Sequence, residues 1–411
     1  MPVKWKTTTR FKPALILEKI NAIRTVNPEG GSSYSGFDLQ VHLPVLQSML
    51  DFPEAAQEVD ASTLVWKVLG KIPETLTPQN VLAGLNSELN VQLATKEERY
   101  VLVTSVSLDK TGLPRTLRHA GVGVRYPTRG RGIYLAAHKR DLHKHRIPID
   151  PTPANYQWVI AEVKAKSAEA AFSKAMRVVD LQRALWCLMG NTRISIRFGT
   201  PSLEPINVCR LGGVHTLHRP GGQAARNGIW FEPNFVPAKT FSFEKPSIIA
   251  KNSRWALQRI QACKYGDRIA SALIRFVRAL DQADPDSAFV RLWGALETLV
   301  TPGVADYEAL VRRTAFVFQE GDYHRQILEH LREYRNNHLH GGLESTHART
   351  HCFQLQMYFV QMAWFFIWHA NFFRSQREAN DFLDQPPNLE TLRRQLTLTK
   401  RALRFLQSGD T

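Results

Sequence analysis

Cysteine is scarce in this chain of 411 residues: Cys187, Cys209, Cys263 and Cys352 lie far apart, and no C-x-x-C pair occurs. That spacing argues against a disulfide framework and a zinc knuckle, and suits a reducing cytosol. Acidic residues are also in deficit, 37 against 53 Lys and Arg, for a formal net charge of +16. No Walker A loop is present, and Gly121-Val122-Gly123 alone is too little for a dinucleotide site. There is no internal repeat and no low-complexity tract. The first residues, Met1 to Lys6, lack an apolar core, so no signal peptide is expected. The segment from Met357 to Phe373 is rich in aromatics but carries Gln361, His369 and Asn371. It reads as a buried helix, not a membrane span. The expectation is a cytoplasmic protein with no membrane partner.

What is present is a globular composition, 44% apolar and 22% charged, with enough length for two domains. The basic excess points to a polyanionic partner, nucleic acid being the commonest; a basic surface kept for solubility is the plain alternative.

The sequence reads as an α+β N-terminal domain over 1–245, for RNA docking or trigger sensing, followed by an all-α bundle over 246–411. In the first part, Ala14 to Arg24 has helical spacing, and Thr77-Pro78 caps a helix to about Thr95. Strands are expected at Arg99 to Leu108, Gly121 to Arg125, Gly132 to Ala136, Tyr156 to Lys164 and Arg193 to Phe198. Short strands follow at Ile229 to Phe231 and Phe241 to Phe243, and Ala168 to Met189 reads as a helix. The proline-rich stretch from Pro233 to Pro246 is the candidate boundary. Beyond it, seven segments from Trp255 to Leu406 read as helices, including Pro285 to Thr301, Tyr323 to Leu339 and Ser345 to Phe373.

One stretch stands apart, from Leu331 to Gly342. It places Arg335, Asn336, Asn337, His338 and His340 within six residues and then stops at Gly341-Gly342. An arginine followed five residues later by histidine carries little by itself. Arg140 with His145 and Arg210 with His215 have the same spacing, and a helix end can use both residue types simply to meet its carbonyls. Context separates this copy. It closes a helix at a glycine pair, where a loosened last turn would help side chains roughly 140° apart on an ideal helix to converge. Apolar helical sequence flanks it on both sides.

Over roughly 285–373 the arrangement resembles the HEPN superfamily of ribonucleases, which carry an arginine, a polar residue and then a histidine four to six positions after the arginine, between the last two helices of a small bundle. Glu297, in Ala295 to Leu299, looks like the acidic residue that an upstream helix often supplies there. The resemblance implies a metal-independent endoribonuclease of toxin or antiphage type, needing no cofactor. It also implies a homodimer that pairs two motifs in a composite site. Family members often cut tRNA, and a phage trigger or an antitoxin is an expected partner.

The residue types fit that chemistry independently. Removing the 2′-OH proton so that this oxygen attacks its own phosphate suits His340, whose ordinary titration lies near neutrality. Arg335 offers a planar, permanently charged fork to the phosphoryl oxygens. Asn336 can hold ribose or phosphate, or orient His340. Glu297 can fix Arg335 or the imidazole tautomer, although a glutamate beside an apolar stripe is usually just solvated. A second proton donor for the leaving 5′-oxygen is missing from one motif, with His338 a weak candidate.

A second basic region runs from Arg115 to Arg146, with nine Lys or Arg and Asp141 as its only acid. Arg125, Arg129, Arg131, Lys139, Arg140, Lys144 and Arg146 are the expected RNA contacts, with Tyr126 and Tyr134 as stacking platforms; a solvated basic loop is the alternative. His138, His143 and His145 are joined by no Glu or Cys and lie among cationic residues that repel a dication, so no metal site is expected there. The alternative to an enzyme is a non-catalytic HEPN-type module that binds RNA or protein.

Overall fold

The computed structural model describes residues 2–8, 10–28, 31–53, 56, 59–109, 116–127, 132–146, 152–192, 204–233, 235–303, 306–341 and 347–408. The first elements are short: β1 (Lys4–Trp5), α1 (Pro13–Ala22), β2 (Arg24–Val26), β3 (Ser32–Tyr34), α2 (Asp38–Ser48), β4 (Leu50–Asp51) and α3 (Ala61–Lys71). Helix α4 (Pro78–Ala94) begins with a reciprocal cap. Thr77 Oγ1 accepts from the Asn80 N–H at 3.2 Å, and Asn80 Oδ1 accepts from the Thr77 N–H at 2.8 Å.

Then come β5 (Glu98–Val106), β6 (Thr116–His119), β7 (Val122–Arg125), α5 (Ile133–Lys144), β8 (Gln157–Ala165), α6 (Ala168–Gly190), β9 (Val214–His218) and β10 (Trp230–Phe231). They build a six-stranded sheet in the order β10-β9-β5-β8-β7-β6, with antiparallel pairs at β10/β9 and β6/β7. After β10 every named element is helical: α7 (Pro246–Ala262), α8 (Gly266–Leu280), α9 (Pro285–Val300), α10 (Tyr307–Phe316), α11 (Gly321–Gly341), α12 (Ala348–Trp368), α13 (Gln376–Leu383) and α14 (Leu389–Ser408). An α+β part is thus followed by a helical one. No helix among the described residues is long and apolar enough to cross a membrane.

Several elements differ from the sequence reading. Residues 132–136 open helix α5 instead of forming a strand, because Leu135, His138 and Leu142 share a buried face at helical spacing. Phe241 makes only an isolated bridge to Leu108, so no strand forms there. The aromatic helix stops at Trp368, and α2, α3 and α13 are helices beyond those expected from the sequence. The expected strand from Arg193 to Phe198 lies outside the described residues.

The chain forms two compact units. One comprises Met1–Leu102, Glu162–Ala175 and Leu217–Arg226; the other comprises Val103–Ala161, Met176–Thr216 and Asn227–Thr411. The first has an apolar core that includes Leu17, Ile20, Leu46, Leu64, Val65 and Leu85. Within the second, α8, α9 and α12 pack together, with Phe276 stacked on Phe359 at 4.5 Å.

The second unit also buries a charged chain that ties strand to helix. Arg183 of α6, fully buried, donates to Asp180 Oδ1 and Asp281 Oδ2, both at 2.8 Å, and to the Cys209 carbonyl at 2.9 Å. Arg278 of α8 donates to Asp180 Oδ2 at 2.7 Å and also to Glu232. Glu232 in turn meets His215 Nε2 at 3.2 Å. Each buried ion here has partners, the condition for tolerating such burial.

Candidate functional site

Helix α11 is anchored before it reaches Arg335. Leu328 and Leu331 are fully buried, and Tyr334 donates its phenolic O–H to Asp286 in the first turn of α9. The Tyr334 ring packs edge-on against Phe289 at 4.8 Å and lies 4.5 Å from the His351 ring. Burial first, and Asp286 second, push the Tyr334 phenol above its usual range. It therefore stays protonated and remains a donor.

One position further on, Arg335 leaves that apolar face. Its guanidinium carbon sits 4.7 Å over the ring of Tyr307 at the start of α10, and Nη1 donates to Asn336 Oδ1 at 3.2 Å. Glu297 of α9 lies within the electrostatic reach of Arg335. Its Oε1 accepts from the Trp293 indole N–H at 2.9 Å. Burial pushes the Glu297 carboxyl upward, and the Trp293 bond and the Arg335 charge offset only part of this. Glu297 is thus not a solvated bystander on α9. Arg335 and Asn336 are thus paired beside Tyr307, while Glu297 is paired with Trp293 and feels Arg335 through its charge.

His340 lies on α11, which stays helical to Gly341. The side chains of His338 and His340 fall outside the described residues, as does Gly342. The loosened last turn expected before the glycine pair is not seen among the described residues. With regular helix throughout, the Cα positions of Arg335 and His340 are roughly 140° apart about the axis.

Sequence reasoning missed Tyr334, Asp286, Tyr307 and Trp293. Trp293 sits one helical turn before Glu297, the spacing at which side chains meet, and that signal was available. The Tyr334–Asp286 and Arg335–Tyr307 contacts join residues distant in sequence and left no local trace.

The basic region is dispersed along β7 and α5. Arg125, Lys139, Arg140, Lys144 and Arg146 are all exposed, whereas Arg129 and Arg131 lie outside the described residues. Lys144 Nζ donates to Asn227 Oδ1 at 3.3 Å. Tyr126 is not a stacking platform: it is buried, its ring 5.6 Å from that of Trp186. His138 is buried too, with Nδ1 2.9 Å from Thr216 Oγ1, while His143 is exposed on the same helix. Those two histidines therefore face different surroundings. Among the described residues no three His, Cys, Asp or Glu side chains gather as a metal-binding group.

Comparison of the chain with protein-family models, curated proteins and solved structures gave no match.

Proposed function

We propose that this protein is a metal-independent endoribonuclease of HEPN type, acting in the cytoplasm as a toxin or antiphage effector. Cleavage runs by attack of the ribose 2′-oxygen on the adjacent phosphate, releasing the 5′-oxygen and leaving a 2′,3′-cyclic phosphate. His340 removes the 2′-OH proton, Arg335 meets charge on the phosphoryl oxygens, and Asn336 and Glu297 position them. The observation that carries this reading is the Arg335 guanidinium held on the Tyr307 face beside Asn336, with the Glu297 carboxyl of α9 within reach of its charge. A composite site between two copies supplies the second proton donor. Regular helix through Gly341 favours this, because it separates residues 335 and 340 around the axis of one chain.

Helix α14 supports a dimer of identical chains. Leu389, Leu392, Leu396, Thr399, Leu403 and Leu406 recur at alternating three- and four-residue steps, and all of these leucines but Leu392 are strongly exposed. Such a seam fits a second helix of the same pattern. The flanking e positions are Arg393, Lys400 and Gln407, while the g positions are Gln395 and Ala402. A parallel pair sets e against neutral g and avoids facing cations; an antiparallel pair sets cations together.

The test is incubation of purified protein with total RNA in EDTA, comparing wild type with His340→Ala and His145→Ala. Cleavage that survives EDTA and His145→Ala but is lost in His340→Ala supports the reading. Cleavage abolished by EDTA overturns it. RNA binding with no product assigns the chain to the non-catalytic class instead, a reading favoured by the contacts that already engage the Arg335 guanidinium.

A further inference from the structure

The face of α9 that carries Glu297 also borders an open cleft of about 530 Å³ against α8. Arg268, Ser271 and Arg275 line it from α8; Gly294, Glu297 and Thr298 line it from α9. Arg268 and Arg275 are two turns apart on one side of their helix, roughly 10 Å along its axis. Both are exposed, and neither has an ion-pair partner among the described residues. The hydroxyls are differently committed. Ser271 Oγ accepts from Arg177 Nη2 at 2.9 Å, which leaves its own proton for a ligand oxygen. Thr298 Oγ1 donates to the Gly294 carbonyl at 2.7 Å, which leaves its lone pairs for a ligand hydroxyl.

Gly294 is the second clue. It sits mid-helix, where glycine costs about 1 kcal/mol relative to alanine. No close packing requires it, since a Cβ built there meets nothing within 4 Å. What the glycine preserves is empty space in the cleft.

We propose that this cleft is the backbone-binding channel for single-stranded RNA leading to the Glu297–Arg335 site. Arg268 and Arg275 hold separate phosphates, Ser271 donates to a phosphate oxygen, Thr298 accepts from a ribose 2′-OH, and Gly294 leaves the floor open. The identity of the ligand rests on the RNA-cleavage reading. The cleft and the two exposed arginines that line it do not.

The test measures binding of a fluorescent, unstructured RNA oligonucleotide to full-length protein in the His340→Ala background, so that no substrate is consumed. Arg268→Glu combined with Arg275→Glu is expected to weaken binding at least ~10-fold, the scale of one lost charge-assisted bond. It is also expected to flatten the dependence of log affinity on log salt by about 1.4, two phosphates at ~0.7 each. Gly294→Leu, whose Cβ meets nothing within 4 Å, is expected to weaken binding with no loss of melting temperature. Arg268→Lys combined with Arg275→Lys is expected to retain most affinity. Unchanged binding in both the charge-reversed and Gly294→Leu proteins overturns the proposal, as does an absence of RNA binding by the parent. If wild type never cleaves RNA but the cleft variants lose binding, the channel stands and the nuclease reading falls.

Discussion

Glu297 joins two properties that normally conflict. Its carboxyl is raised by burial, and it keeps an indole donor and an arginine within reach. A carboxyl that titrates higher in the folded chain than in the unfolded one contributes stability below the unfolded pKa. That contribution is lost as pH rises through the folded pKa. Glu297→Gln keeps an acceptor for Trp293 and removes the charge. It is expected to melt above wild type at neutral pH, with the difference closing as the pH is lowered, and to cleave RNA about 10²-fold more slowly. Thermal melts across pH alongside a cleavage assay check both halves, and lower stability with full activity would contradict them. At this scale the sequence was legible in part. Arg335, Asn336 and Glu297 were readable as residue types in a helical frame. Their fixing by Tyr307, Tyr334 and Asp286 was not, because those contacts cross between helices.

Among the elements, the β6–β7 hairpin carries a testable local strain. His119 pairs with Val122, so Ala120 and Gly121 form a two-residue turn, and both have positive φ, 46° and 75°. Alanine is disfavoured there, and glycine is at home. Ala120→Gly is expected to stabilise the protein by about 1 kcal/mol, readable by denaturant unfolding. The opposite effect is expected of Arg183→Met, which leaves Asp180 to Arg278 and Asp281 to Asn207 and should cost about 3 kcal/mol. Burial alone would raise the Asp281 carboxyl, but Arg183, Arg278 and Asn207 outweigh it and hold it below its usual value. Its stabilisation is therefore present above the unfolded pKa and lost as pH falls through the folded pKa. The acid limb of the unfolding curve should accordingly be steeper in wild type than in Arg183→Met. Helix α5 shows why reading short windows fails. Residues 132–136 alone look like a strand, and only the continuation through His138 and Leu142 reveals the helical period.

For the whole molecule, the order of an α+β part before a helical part was legible from where strand-like alternation ends. Of the elements before residue 72, α1 was legible from its helical spacing, whereas β1 to β4 were not, because strands of two or three residues carry too little pattern. Dimerisation is checked by sedimentation. Wild type is expected to be dimeric, and Leu396→Glu combined with Leu403→Glu on α14 is expected to shift it to monomer with loss of cleavage. A monomeric wild type that still cleaves would sink the composite site. The most direct single measurement is the chemistry of the RNA ends produced in EDTA. Attack by the 2′-oxygen predicts 2′,3′-cyclic phosphate and 5′-hydroxyl ends from wild type, and none from His340→Ala. Ends bearing 5′-phosphate and 3′-hydroxyl, or equal cleavage by His340→Ala, would contradict the assignment of this site.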